Sequence, residues 1–165
     1  MPGVRLQRAL KVPPVPAYQA LADVLRAIEA QQGAWRGFAL HVSLGDLHFP
    51  DVGYLAIPIR LSVGKAQVET HALQIAFESA KHKELFPRFE GSAGIDATGP
   101  SGSILWLAGS YDAPMKLFGA LADATVASGL AARTLENLAD DLAEACAANV
   151  EKREADYVRY HLFNR

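Results

Sequence analysis

Residues 104–139 read ILWLAGSYDAPMKLFGALADATVASGLAARTLENLA, and this stretch decides the fold. It opens as strand text, residues 103–111 being the last in a run of candidate strands. Pro114 then suits the first position of a helix, where its missing N–H costs nothing. A first apolar stretch, Met115, Leu117, Phe118 and Leu121, runs to Ser128-Gly129. Beyond it Ala131, Leu135, Leu138, Leu142 and Cys146 recur at spacings of three and four, with Glu136, Asp140, Asp141 and Glu144 on the other side. That pattern predicts an amphipathic helix. As one helix, residues 129–155 extend about 40 Å, long enough to lie across a small sheet.

Upstream, the text from Gly37 to about Tyr111 is strand-like throughout. Candidate strands lie near 37–45, 53–63, 66–78, 86–98 and 103–111. Turn text at 46–52, Gly64-Lys65, the lysine-rich residues 80–84 and Gly99-Pro100-Ser101-Gly102 separate them. Connections this short join antiparallel hairpins, not βαβ units. With Gly64-Lys65 as a two-residue turn, Arg60 faces Glu69 and Ser62 faces Gln67 on a polar face. Leu61 with Val68 and Ile59 with Thr70 then form the apolar face. Leu73, Ile75 and Phe77 fall on the polar face in this register, so either a bulge intervenes or both faces are partly covered. At the N-terminal end, Val4, Leu6, Leu10 and Val12 alternate within residues 4–12, and only Arg8 breaks the row. Pro13, Pro14 and Pro16 end that strand. Leu21, Val24, Leu25 and Ile28 then mark an amphipathic helix over 17–32, stopped by Gly33.

The 165 residues fit one domain and can bury a substantial core. A formal net charge of −2 argues against a chain built to neutralise phosphates, so no nucleic-acid partner is expected. No apolar run reaches the roughly 18 residues that cross a membrane. Met1-Pro2-Gly3-Val4-Arg5 lacks a signal-peptide layout, and the single cysteine, Cys146, cannot form an internal disulfide. The expectation is a cytoplasmic protein without a membrane span.

The end of the chain resembles polyketide cyclase/dehydrase-type members of the START-like (SRPBCC) superfamily. In these a last strand ending in Gly-x-Tyr-x-x-Pro leads through a Gly and an Asp into the C-terminal helix. Here those positions are Gly109, Tyr111, Pro114, Gly119 and Asp123, and the Phe86-Pro87-Arg88-Phe89-Glu90-Gly91 text is also similar. The motif covers the last third of the chain, while the order of elements matches over nearly all of it. The resemblance implies an α+β helix-grip fold, a curved antiparallel sheet packed around a long C-terminal helix. This sequence shows one long N-terminal helix and about six strands where many relatives have two short helices and seven. One domain over 1–156 and an aromatic C-terminal tail over 157–165 are expected. The resemblance further implies an apolar cavity between sheet and helix that holds lipids, polyketides or other apolar molecules.

Several residues invite chemistry. His41, Asp46 and His48 are close in sequence, but strand alternation sends His41 and Asp46 to opposite faces and no third clustered ligand follows. Cys146 lies on the apolar stripe with no basic neighbour to activate it. His71 with Glu69 and Asp96 could form a cavity acid–base pair, although a Glu69–Arg60 pairing turns that row to water. No metal, cofactor or catalytic constellation is expected. For the cavity, a four-residue loop Gly99–Gly102 pairs Trp106 with Ile95 and puts Ala108 on the same inner face. The other phase, with Leu105, Leu107 and Tyr111 inward, stays open. The expected lining is Ile57, Ile59 and Thr70 from the first hairpin, then Ile95, Trp106 and Ala108. Leu117, Leu121, Leu135 and Leu138 complete it from the helical side. The leading expectation is a binder or carrier of a small apolar ligand. A polyketide cyclase/dehydrase-like enzyme and a filled-core partner-binding domain are the alternatives, and a homodimer is left open.

Overall fold

Among the described residues the period-two runs form six strands and the period-3.6 runs form two α-helices. The computed structural model describes residues 3–31, 39–43, 54–80, 88–112 and 124–163. Strand β1 (Gly3–Leu10) leads into helix α1 (Pro14–Ala30), followed by β2 (Ala39–Ser43) and β3 (Tyr54–Gln67). Then come β4 (Ala72–Ser79), β5 (Arg88–Ala97), β6 (Ser103–Asp112) and the terminal helix α2 (Ala124–Phe163). The strands lie in the order β1-β6-β5-β4-β3-β2, and every neighbouring pair is antiparallel. The helix-grip expectation therefore holds, with β1 and β2 as the two edges.

Helix α1 starts earlier than its periodicity suggests. Pro14 and Pro16 sit in its first turn, where their lack of a donor is harmless, and the Ala17 amide donates to the Pro13 carbonyl at 3.0 Å. Ala17, Ala20, Leu21, Leu25 and Ile28 are its buried face. Its last turn is tied to the sheet by Glu29, whose Oε1 accepts from the Val63 amide at 2.8 Å. Gly33, the expected stop, lies outside the described residues.

The first hairpin departs from the expected register. β3 runs straight through Gly64-Lys65, which form a bulge between Val63 and Ala66, and the chain turns at Val68–His71 instead. Arg60 faces Glu78, not Glu69. The reason is burial: this register pairs Leu61 with Phe77 and Val63 with Ile75, putting the apolar residues on one face. A tip at Gly64-Lys65 would have exposed Leu73, Ile75 and Phe77. At the actual turn His71 adopts a positive φ of 45°, which a non-glycine residue tolerates only when held. Its ring meets Tyr18 edge-on at 5.3 Å, and its carbonyl accepts the Ile95 amide at 3.1 Å.

Helix α2 is 40 residues long, about 60 Å at the standard rise. Thr134, Leu135, Leu138, Ala139, Leu142, Cys146 and Val150 form its buried stripe, and residues 151–160 are exposed throughout. The expected tail segment is helical as far as Phe163, so it continues α2 beyond the sheet. Arg153 pairs with Asp23 and donates to Gln19 Oε1 at 3.3 Å, bracing α2 against α1.

Arg8, the residue that broke the first apolar row, pairs with Leu105 and so lies on the inner face. Its guanidinium grips the Asp140 carboxylate on α2 and reaches the Glu136 carbonyl at 3.3 Å. The hydrogen bond to Asp140 is the main cause holding the Arg8 pKa above its ordinary value. The charge thus keeps a partner at the partly exposed rim between sheet and helix, linking β1 to α2.

Candidate functional site

The inner face of the sheet is built from the odd-numbered residues of β3 to β6. Leu61 pairs with Phe77, Phe77 with Phe89 and Phe89 with Tyr111, giving one apolar row across four strands. Ile59 and Ile75 extend it on β3 and β4, and Ala93, Ile95, Leu105 and Leu107 extend it on β5 and β6. All are buried. The Phe77 and Phe89 rings stack at 5.0 Å with an interplanar angle of 16°.

Gly91 and Gly109 form a paired site on β5 and β6. A Cβ at Gly91 would stand 2.2 Å from the Ala108 carbonyl oxygen and 2.9 Å from Phe89 Cζ. At Gly109 it would stand 2.3 Å from the Glu90 oxygen and 2.8 Å from Phe89 Cζ. The bare backbone there is the floor on which the Phe89 ring lies. Close strand approach with no side chain is what glycine supplies in a sheet.

Above this face, α2 packs chiefly on the two edge strands, β1 and β2, and on α1, with a lighter contact to β6. α1 lies against β3, β5 and β6. The long helix therefore bridges the sheet from edge to edge, and its main supports are not the strands that carry the aromatic row.

The residues expected to line the site divide into three groups. Ile59, Ile95, Leu135 and Leu138 face the interior and are buried. Thr70, Trp106 and Ala108 do not. Thr70 is exposed in the turn after β3, its hydroxyl 3.2 Å from Gln67 Oε1. Trp106 and Ala108 lie on the outer face because the β5–β6 loop has five residues, 98–102, closed by the Thr98 amide on the Gly102 carbonyl at 3.1 Å. Ile95 therefore pairs with Leu105, and Trp106 pairs with Gly94. One residue of slip turns every side chain of a strand over. The Trp106 ring covers Gly94, its Nε1–H donates to Asp96 Oδ1 at 3.1 Å, and Arg5 lies 5.7 Å from the ring centre. The side chain of Ile57, and Leu117 and Leu121 altogether, lie outside what is described.

Leu61, Ile75, Phe77, Phe89, Ala93, Leu105, Leu107 and Tyr111 are inner residues missing from the expected lining. The signal for them was the alternation Leu105, Leu107, Tyr111, which wins once the loop is counted as five residues.

The chemical candidates have other partners. The His71 ring meets Tyr18 edge-on, and Asp96 accepts from Trp106 and lies 3.9 Å from Arg5. Asp46 and His48 lie outside the described residues. Among those described, no group of three or more metal-ligating side chains is gathered. Burial pushes the Cys146 thiol up to about 12, which leaves it a protonated core residue at neutral pH. No described helix is long and apolar enough to cross a membrane.

No protein-family model matches the sequence, and no curated protein matches it. Solved structures do. Norcoclaurine synthase from Thalictrum flavum matches with a TM-score of 0.55 at 8% identity, over 93% of this chain and 96% of that one. Ara h 8.0201 matches with a TM-score of 0.55 at 9% identity, over 92% of this chain and 98% of that one. The di-domain aromatase/cyclase BexL of the BE-7585A biosynthetic pathway matches with a TM-score of 0.51 at 14% identity, over 92% of this chain and 47% of that one. The chain shares the helix-grip fold of these solved structures. At these identities the likeness is one of fold, and fold does not dictate function.

Proposed function

We propose that the protein binds and carries a small apolar molecule between the inner face of its sheet and α2, without covalent chemistry of its own. One observation carries the reading: the row Leu61, Phe77, Phe89, Tyr111 gives the inner face an apolar, aromatic wall, while α2 rests mainly on the sheet's edges. Ligand sites of this kind are mostly apolar with a few polar groups that orient the guest. Ile59, Ile95, Leu135 and Leu138 belong to the proposed wall, and Tyr111 brings its one phenolic hydroxyl. Ile57, Leu117 and Leu121 are part of the proposal on sequence grounds alone. An enzyme of the cyclase type needs a base and an oxyanion partner at the guest. Among the described inner-face residues there is no carboxylate or imidazole, and the one guanidinium, Arg8, is already held by Asp140.

A second reading has its own support. The Phe89 ring lies on the Gly91–Gly109 floor and stacks on Phe77, which fits a filled core whose outer surfaces do the binding. Native mass spectrometry of the gently purified full chain, with titration of an apolar fluorescent dye, separates the two. A carrier shows a co-purified non-covalent mass or saturable one-to-one dye binding, and Phe89→Ala enlarges the site and tightens the dye. A filled core shows neither in the parent, and Phe89→Ala only lowers the melting temperature. That second result retires the carrier reading.

A further inference from the structure

On the opposite face of the sheet the side chains of β3 to β6 form a row of alternating charge. Arg60 pairs with Glu78 and Arg88 pairs with Asp112. Continuing the β4–β5 register past Phe77 and Phe89 sets Glu78 beside Arg88. Across four strands the order is plus, minus, plus, minus. The adjoining rows are small or uncharged at most positions: Ser62, Ala76 and Ser110 beside Glu90, then Gln74, Ser92 and Ala108. Shallow depressions of about 230 and 520 Å³ lie along this face, bordered by Arg60, Glu78, Arg88, Gln74 and Ser92.

We propose that this outer face is the contact surface of a homodimer, in which a second copy of the chain packs sheet to sheet. An even, alternating row is complementary to itself over all four strands only when a strand-parallel two-fold lies at its centre. A two-fold axis parallel to the strands and above the β4–β5 boundary lays β3 of one copy over β6 of the other, and β4 over β5. Arg60 of one copy then meets Asp112 of the other, and Glu78 meets Arg88, each contact occurring twice as a two-fold interface requires. In the next row Ser62 meets Ser110, and Ala76 leaves room for Glu90. A slip of one strand, with the axis over β4, puts Arg60 over Arg88 and Glu78 over itself. Like charges thus reject the wrong register while opposite charges select the right one.

Within one copy Arg88 already pairs with Glu90, and Glu78 is also engaged. The second copy therefore adds partners to charges that are already ordered, which lowers the entropy lost on docking. Four strands about 4.8 Å apart and about 30 Å long offer on the order of 600 Å² per copy. That is below the roughly 800 Å² per partner of a standard stable interface, so a weak, reversible dimer is expected.

The test is sedimentation of the full chain over a concentration series from micromolar to about 1 mM. The parent should show a reversible monomer–dimer equilibrium that weakens as salt is raised. Arg88→Glu and Glu78→Arg should each weaken it by about tenfold or more, because each change acts twice. An equimolar mixture of the two variants should recover dimer near the parent's affinity, since each supplies the charge the other lacks. Melting curves confirm that the variants are folded, and Arg60→Glu with Asp112→Arg is a second complementary pair should either fail. A parent that stays monomeric overturns the proposal. So does a dimer indifferent to these substitutions, or a mixture no tighter than either variant alone.

Discussion

Along β3 to β6, two rows of opposite character run one residue apart. Leu61, Phe77, Phe89 and Tyr111 face inward and are buried, while Arg60, Glu78, Arg88 and Asp112 face outward. The backbone is shared, so the contrast isolates what each kind of side chain contributes. The inner row stabilises through area removed from water and through close packing, which tolerates neither a void nor an added atom. The outer row stays solvated, where each ion pair contributes at most about 1 kcal/mol to folding. Stability belongs to one row, and recognition can belong to the other.

The largest break in this contrast is Phe89→Ala. It removes a fully buried ring and its stack on Phe77, so urea denaturation should show a loss of about 3–5 kcal/mol. Next comes Gly109→Ala, a single added carbon. With backbone atoms of Glu90 and Gly91 within 2.7 Å of the new Cβ, the strands must shift, and the same measurement should show a loss of about 1–3 kcal/mol. Asp140→Ala sharpens the comparison, because it removes an outward-reaching carboxylate whose partner, Arg8, sits in an inner row. Asp140 is more than half exposed, so the loss should be no more than about 1 kcal/mol, greatest at low salt. The smallest effect should be Arg60→Ala, within about 0.5 kcal/mol on the thermal melt. If Arg60→Ala cost as much as Gly109→Ala, the two faces would not differ in the way described.

Much of the fold was legible because its signals are periodic. The stripe Leu135, Leu138, Leu142, Cys146 names the buried face of α2 without reference to anything else. Leu21, Leu25 and Ile28 do the same for α1. The candidate site was less legible, and the reason is specific. Both faces of β6 carry large apolar residues, Trp106 on one and Leu105 and Leu107 on the other, so alternation alone cannot say which is inward. The choice hung on whether the preceding loop has four residues or five. A local turn signal also misled at Gly64-Lys65, where glycine marks a bulge and the turn is made by Val68–His71 with a strained histidine.

By itself the sequence determined that a strand, a helix, a run of antiparallel strands and a long terminal helix follow one another, since each period is a property of neighbouring residues. It also marked Arg8 as the exception in its row. Only the tertiary structure decided the partner that makes the exception tolerable, Asp140, which lies 132 residues away. It likewise decided that Phe89 lies across Gly91 and Gly109, that Trp106 faces outward, and that α2 outruns the sheet. These are matters of register and of long-range contact. They are settled by which arrangement buries the most apolar area and leaves the fewest charges unpaired, a sum taken over the whole molecule that no local window contains.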